Sequence, residues 1–419
     1  MITGKIATVP FQNRQDMKIY KVGGAVRDNL LGRSFKDCDW VVVGGSPQEM
    51  ESLGYRAVGK DFPVFLHPDT QEEYALARTE RKTGTGYKGF SFHTSPDVTL
   101  EDDLKRRDLT INAMVEDENG ELVDPFNGKL DLDAGILRHV SSSFSEDPLR
   151  VLRVARFAAR FGFTIAEETM TLMRAMCASG ELETLVAERV WSETEIALSE
   201  KYPTRFLLVL RSCNALEVLF PEIDHLFGIP QPKQHHPEID TGMHTIMVLN
   251  QAARLSDDTQ IRFAALVHDL GKGETSEREW PAHHGHEERG AKLINDLCDR
   301  YRIPNQYRNL AIIVARHHLD CHRIEEMRAG TILNKLESLD AFRRGERFEQ
   351  FLLVCEADAR GRSGFADRDY PQADYLRKAL SAAKQIDTQT LADKGLEGEA
   401  MAEAVRLRRI EAISQLRNL

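Results

Sequence analysis

The apolar periodicity of this chain changes once, near residue 140. Before that point, short β-branched or alternating runs (KIYKVGG, DWVVVGG, FPVFLH, EEYALART, LTINAMVED) are separated by turn residues, as in an α/β or α+β domain. After it, apolar residues recur at helical spacing in DPLRVLRVARFAARFGF, PTRFLLVLRSCNALEVLF and FAALVHDLGKG. The expected fold class is therefore α+β: a head built on a small mixed β-sheet, followed by an all-α remainder. Pro and Gly gather in residues 226–242, LFGIPQPKQHHPEIDTG, and mark a connector between two helical parts. The expected divisions are an N-terminal extension (1–16), the head (17–140), a helical neck (141–235), a helical body (241–342) and a charged, amphipathic tail (343–419).

Composition limits the partners. The 419 residues suffice for several domains with buried cores. No apolar run free of charges approaches the roughly 20 residues of a membrane span. The N-terminus lacks an apolar segment followed by a small-residue cleavage site. Six scattered cysteines with no CxxC pair read as reduced thiols, which points to the cytoplasm. A formal net charge of −11 argues against a general nucleic-acid coat. Any RNA must then be held by a local basic surface. A monomer or weak homo-oligomer is expected.

The densest motif is KVGGAVRDNLLGRSFKDCDWVVV, residues 21–43. It reads as strand, Gly23-Gly24 turn and helix start, a geometry that lets backbone approach a phosphate. A dinucleotide fold would require GxGxxG, and Arg27 and Asp28 stand where the third glycine belongs. Asp37 and Asp39 open an apolar strand and share one face roughly 6.5 Å apart. An isolated DxD usually marks a solvated strand end. With the GG turn and Arg27 upstream, it suits hard divalent ions on a triphosphate, a task for Mg²⁺. Glu73, on another expected strand, offers a third carboxylate. RRDLTIN (residues 106–112) sets two cations beside a carboxylate, suited to a triphosphate and ribose hydroxyls. In EDPLRVLRVARFAAR, Asp147 is the expected N-cap and Pro148 the first helical residue. Arg150, Arg153, Arg156 and Arg160 then fall within a ~120° arc opposite the apolar side.

Taken together these stretches resemble the class II tRNA nucleotidyltransferases, the bacterial CCA-adding enzymes of the polymerase-beta-like superfamily. GGxVRDxLLGxxxxDxD, RRDxxIN and EDxxRxxRxxRF occur in family order. The resemblance implies that Gly24 and Arg27 contact the nucleotide and that Asp37 and Asp39 bind Mg²⁺, with Glu73 completing the carboxylates. It also implies that Arg107, Arg153 and Arg156 hold the triphosphate, that Asp108 touches the ribose, and that Asp147 with Arg150 reads the base. The implied substrates are CTP, ATP and the tRNA 3′ end. Bacterial poly(A) polymerase shares this head but usually carries a basic GR[RK]F segment. Here GKDFPVFLH, residues 59–67, puts Asp61 in place of the second basic residue, which favours CCA addition. An RNA-binding regulator with an inactive head is the non-enzymatic alternative.

Ten of the fourteen histidines lie between His235 and His322. His244, His268-Asp269, His286, His317-His318 and Asp358 appear in the order of an HD-type metal-dependent phosphohydrolase. Imidazole with carboxylate suits Ni²⁺ or another transition metal better than an all-oxygen Mg²⁺ site. Such an ion lowers the pKa of a bound water beside a phosphate ester. Several nearby histidines compete for the same roles, and the sequence leaves open which of His283, His284, His286, His317 and His318 are ligands. This order resembles the gammaproteobacterial CCA enzymes, in which an HD domain follows the neck. That resemblance implies hydrolysis of 2′,3′-cyclic phosphates, 2′-nucleotides and phosphate monoesters. RKTGTGYKGF, residues 81–90, is a candidate mobile loop.

Overall fold

In the computed structural model the described residues are 17–35, 37–58, 64–82, 90–233, 237–393 and 396–416. The extension 1–16, most of the GKDFPVFLH difference, the center of the candidate loop (83–89) and His235 lie outside them. Two compact units divide between residues 186 and 187, a boundary inside the segment expected as neck.

The first unit is built on a seven-stranded mixed sheet. Its strands are β1 (Lys18–Val22), β2 (Asp39–Val43), β3 (Arg56–Val58), β4 (Val64–Leu66) and β5 (Glu73–Leu76). A hairpin of β6 (Arg78–Lys82) and β7 (Phe90–Thr94) stands apart, and β8 (Val115–Glu116) and β9 (Leu122–Val123) complete the sheet. Its order is β3-β4-β5-β2-β1-β8-β9. Only β2 and β5 run parallel; every other pairing in it is antiparallel. The run DWVVV is apolar on both faces because β2 is covered on both. Val41 joins Val22, Leu104 and Val115 in one core, while Val42 joins Met50, Phe65 and Leu76 in another. Gly23 turns the chain from β1 into the helix Gly24–Leu30 with φ +73°, and a Cβ there would lie 3.3 Å from Arg107 Nη1.

The helix expected to open at Pro148 starts one residue later, spanning Leu149–Phe161, with Pro148 as its cap residue. Asp147 stands outside it, yet its Oδ1 accepts from the Leu149 N–H at 3.0 Å. It therefore satisfies one of the helix's free donors from one position further out than expected. Within the arginine arc, Arg150 and Arg156 are buried along with the apolar side.

The second unit is helical. Its central helices are Thr241–Leu255, Thr259–Val267, His286–Arg300, Asn305–His322 and Gly345–Arg360, with Pro371–Lys384 and Gly398–Gln415 beyond. Gly271 allows the turn after His268 to press against the start of the His286 helix, since a Cβ would lie 1.9 Å from the His286 carbonyl oxygen. Among the described residues no helix is long and apolar enough to cross a membrane.

Candidate functional sites

In the head, Asp39 opens β2 and Glu73 opens β5, and the two are register partners on the parallel pair. Asp37 lies two positions before the first residue of β2, and all three carboxylates are exposed. Although Asp39 is exposed, partial desolvation by the protein around it raises its pKa; the Arg107 charge opposes this and the Asp37 charge adds to it. An all-oxygen donor set with accumulated negative charge fits a hard divalent cation. Arg107 sits across the turn from Gly23, its Nη2 3.2 Å from Asp103 Oδ2. The fully buried Asp103 also takes Arg106 through Oδ1, and despite its burial these guanidiniums hold its carboxyl below the usual range.

Behind the carboxylates, Arg27 is buried and donates through Nη1 to Asn112 Oδ1. Asp108 accepts from Arg153 Nε at 2.9 Å and Nη2 at 2.7 Å. Although burial alone would raise the Asp108 pKa, Arg153 and Asn112 hold it well below the carboxylate range. Arg150 donates to the backbone carbonyls of Ser143 (2.7 Å) and Arg106 (2.5 Å). The guanidinium of Arg156 lies 4.5 Å from the centroid of the Phe157 ring. Gly24, the first helical residue, lies beside the Arg27 guanidinium.

In the helical unit two groups of ligand atoms gather, each within 4.8 Å: His244, His268 and Asp358, and Asp269, His286 and His318. Each imidazole of the second group, and that of His268, places Nδ1 against a backbone carbonyl: His268 on Ala265 at 2.8 Å, His286 on His283 at 2.8 Å, His318 on Val314 at 3.0 Å. Nδ1 therefore carries the proton, and the Nε2 lone pairs face Asp269, with His268 at 3.2 Å, His318 at 3.5 Å and His286 at 3.6 Å. His268 Nε2, His286 Nε2 and Asp269 Oδ1 are buried with no hydrogen-bond partner. Burial pushes the His318 pKa down to about 3 and also lowers that of His286. Burial would raise the Asp269 pKa, yet neighbouring charge, with the Lys272 ammonium 2.6 Å from Oδ2, holds it well below the carboxylate range. The imidazoles of His286 and His318, shifted toward the neutral form, with an ionised carboxylate and buried polar atoms that lack partners, fit a transition-metal site.

Residues 19–138 match the Poly A polymerase head domain, 162–227 the Probable RNA and SrmB- binding site of polymerase A, and 241–348 the HD domain. The Multifunctional CCA protein of Thioalkalivibrio sulfidiphilus is 63% identical over 404 residues, spanning 96% of this chain and 99% of the relative. That of Nitrosococcus oceani is 61% identical over 399 residues, spanning 95% and 98%. The chain belongs to the multifunctional CCA protein family. Its fold agrees: a CCA-adding enzyme with ATP superposes with TM-score 0.65 at 22% identity, covering 95% of this chain and 86% of that one. The Thermotoga maritima CCA-adding enzyme complexed with tRNA_CCA gives 0.62 at 21% identity, covering 96% and 91%.

Not every residue singled out from sequence comes to a site. His317 does not join either ligand group. Its Nδ1 turns to Asp320 Oδ2 at 3.4 Å, because neighbours on a helix point about 100° apart and His318 takes the inward position. His284 is exposed, and His283 faces the Pro230 carbonyl at 2.8 Å through Nε2. Sequence reading missed His322, whose Nε2 lies 2.6 Å from Asp358 Oδ2 and whose Nδ1 meets the Tyr370 hydroxyl at 2.9 Å. Its i+4 spacing from His318 on one helix was the available signal. Lys272 was also missed as a side chain of the site; Nζ lies 2.6 Å from Asp269 Oδ2. Asp358 comes from the helix Gly345–Arg360, counted with the tail in the sequence division.

Proposed function

We propose that this chain adds and repairs the 3′-terminal CCA of tRNA from CTP and ATP, without a nucleic-acid template, and that its HD domain hydrolyses phosphate esters. The observation that carries this reading is the full-length relationship to multifunctional CCA proteins, which spans the head and the HD segment together. Asp37 and Asp39 hold Mg²⁺ in the head, with Glu73 beside them. Bound there, Mg²⁺ would supply neutralisation of the triphosphate charge. Gly24, Arg27, Arg107, Arg153 and Arg156 hold the nucleotide, and Asp108 holds its ribose. Asp147 and Arg150 select the base. On their pairing edges C and A each offer an amino donor beside a ring-nitrogen acceptor, which complements a carboxylate beside a guanidinium. U and G present the reverse, leaving groups unpaired. For this role the Arg150 guanidinium exchanges a carbonyl of Ser143 or Arg106 for the base.

In the HD domain, His244, His268, Asp269, His286, His318 and Asp358 would hold Ni²⁺ or another transition metal, and the chemistry it would supply is Lewis acidity toward water and phosphate oxygen. The substrates are 2′,3′-cyclic phosphates, 2′-nucleotides and phosphate monoesters. We assign the protein to the cytoplasm as a monomer or weak homo-oligomer. The test is incubation with tRNA lacking its 3′ end and each labelled NTP. Addition of C, C and A followed by arrest supports the proposal. A long A tail identifies a poly(A) polymerase instead, and no addition an RNA-binding regulator.

A further inference from the structure

Six side chains of the head form a hydrogen-bonded chain whose two ends stand on one helix, so that the helix backbone closes the ring. Arg160 Nη2 lies 2.8 Å from Asp28 Oδ2. Asp28 Oδ1 accepts from Arg27 Nε at 2.9 Å. Arg27 Nη1 donates to Asn112 Oδ1, and Asn112 Nδ2 donates to Asp108 Oδ1 at 2.9 Å. Asp108 Oδ2 accepts from Arg153 Nε at 2.9 Å. Arg153 and Arg160 are seven positions apart on the helix Leu149–Phe161, two turns along one face, so the chain of bonds returns to the element where it began. Arg27, Asp28, Asp108 and Asn112 are all buried, and the Arg27 guanidinium also lies over the rings of Phe157 and Phe161 from the same helix.

The only uncharged member is Asn112. Its carbonyl oxygen faces the Arg27 cation and its amide nitrogen faces the Asp108 anion. Only a side chain that accepts on one side and donates on the other satisfies both neighbours. On the proposed function, these neighbours hold the nucleotide and its ribose. We infer that Asn112 is a positioning residue for nucleotide binding: its amide sets the separation of Arg27 and Asp108, while Asp28 and Arg160 tie that pair to the base-selecting helix. This inference rests on the CCA-adding reading for its consequence but not for its geometry.

Two variants separate positioning from space filling. Asn112→Asp keeps the shape and the bond to Arg27 but sets a carboxylate against Asp108, where two like charges cannot both stay ionised. Asn112→Ala removes both bonds without adding a charge. If the amide positions its neighbours, KM for CTP and ATP should rise by roughly ten- to a hundredfold in Asn112→Ala and further in Asn112→Asp, with KM for tRNA little changed. The exchange Asp108→Asn with Asn112→Asp removes the like-charge pair and restores the bonds to Arg27, to Arg153 and between the two side chains, at the cost of the bond that Asp108 Oδ1 accepts from the Leu109 N–H at 2.8 Å. Its melting temperature should therefore exceed that of Asn112→Asp alone, a coupling read by a double-mutant cycle. Asn112→Asp milder than Asn112→Ala, or an exchange variant no more stable than Asn112→Asp, overturns the inference. If the wild type adds no C or A, the functional reading fails, and the melting cycle alone decides for or against the ring.

Discussion

Asp39 and Glu73 are register partners across the one parallel pairing in the head sheet. That pairing brings together two carboxylates that are 34 positions apart in sequence, and Asp37 stands just ahead of the first.

Replacing Asp37 or Asp39 by Ala should lower nucleotide addition by roughly 10²- to 10³-fold or more, as expected for a group that stabilises developing charge. Hydrolysis of a 2′,3′-cyclic phosphate should persist, because the histidine groups lie in the other unit. Primer extension and phosphodiesterase assays on the same preparation check this. Joint loss of both activities in a folded variant would refute the assignment.

His268→Ala or Asp269→Ala should remove phosphohydrolase activity while CCA addition continues. His318→Ala should do the same, whereas His317→Ala should leave hydrolysis within about twofold, since its ring turns to Asp320. Stimulation of wild-type hydrolysis by Ni²⁺ or Mn²⁺ is expected. Full hydrolysis with Mg²⁺ alone would contradict the ligand-softness argument.

His322 holds the Asp358 oxygen that does not face His244. His322→Ala should weaken Ni²⁺ binding by roughly 10- to 100-fold, the range for partners that orient a metal ligand. Calorimetric titration with Ni²⁺ measures it, and an unchanged affinity would count against the role.

Asp147→Ala should reduce the preference for CTP and ATP over UTP and GTP by roughly 10²-fold or more. Competition between labelled nucleotides reads the ratio. Unchanged selectivity in a folded Asp147→Ala, Arg150→Ala double variant would remove the pair from base selection.

Asp108 also predicts an acid dependence of stability. Its folded pKa lies below its unfolded value near 3.9, because Arg153 and Asn112 outweigh the effect of burial. The carboxylate thus contributes stability that is fully present above the unfolded value and is lost as pH falls toward the folded one. Between about pH 5 and about pH 3, wild type should lose on the order of 1 kcal/mol more than Asp108→Asn in urea denaturation. Parallel pH profiles would contradict this.

Local pattern alone determined much of this molecule. Strand periodicity placed β1, β2 and β5, because a half-buried or buried strand writes its faces into successive residues. The change of period near residue 140 separated the mixed sheet from the helices, and the spacing of Asp37 and Asp39 marked the carboxylate edge. Tertiary structure decided what spacing could not encode. Whether His317 or His318 turns inward depends on which face of their helix is covered. The burial of Arg150 and Arg156 likewise depends on elements distant in sequence, which the spacing of the arginines does not contain. The roles of His322 and Asn112 arise from partners 36 and 85 positions away. A side chain's hydrogen-bonding capacity is a property of its type, but the group that satisfies it is chosen by packing, and only the folded chain brings the two within reach.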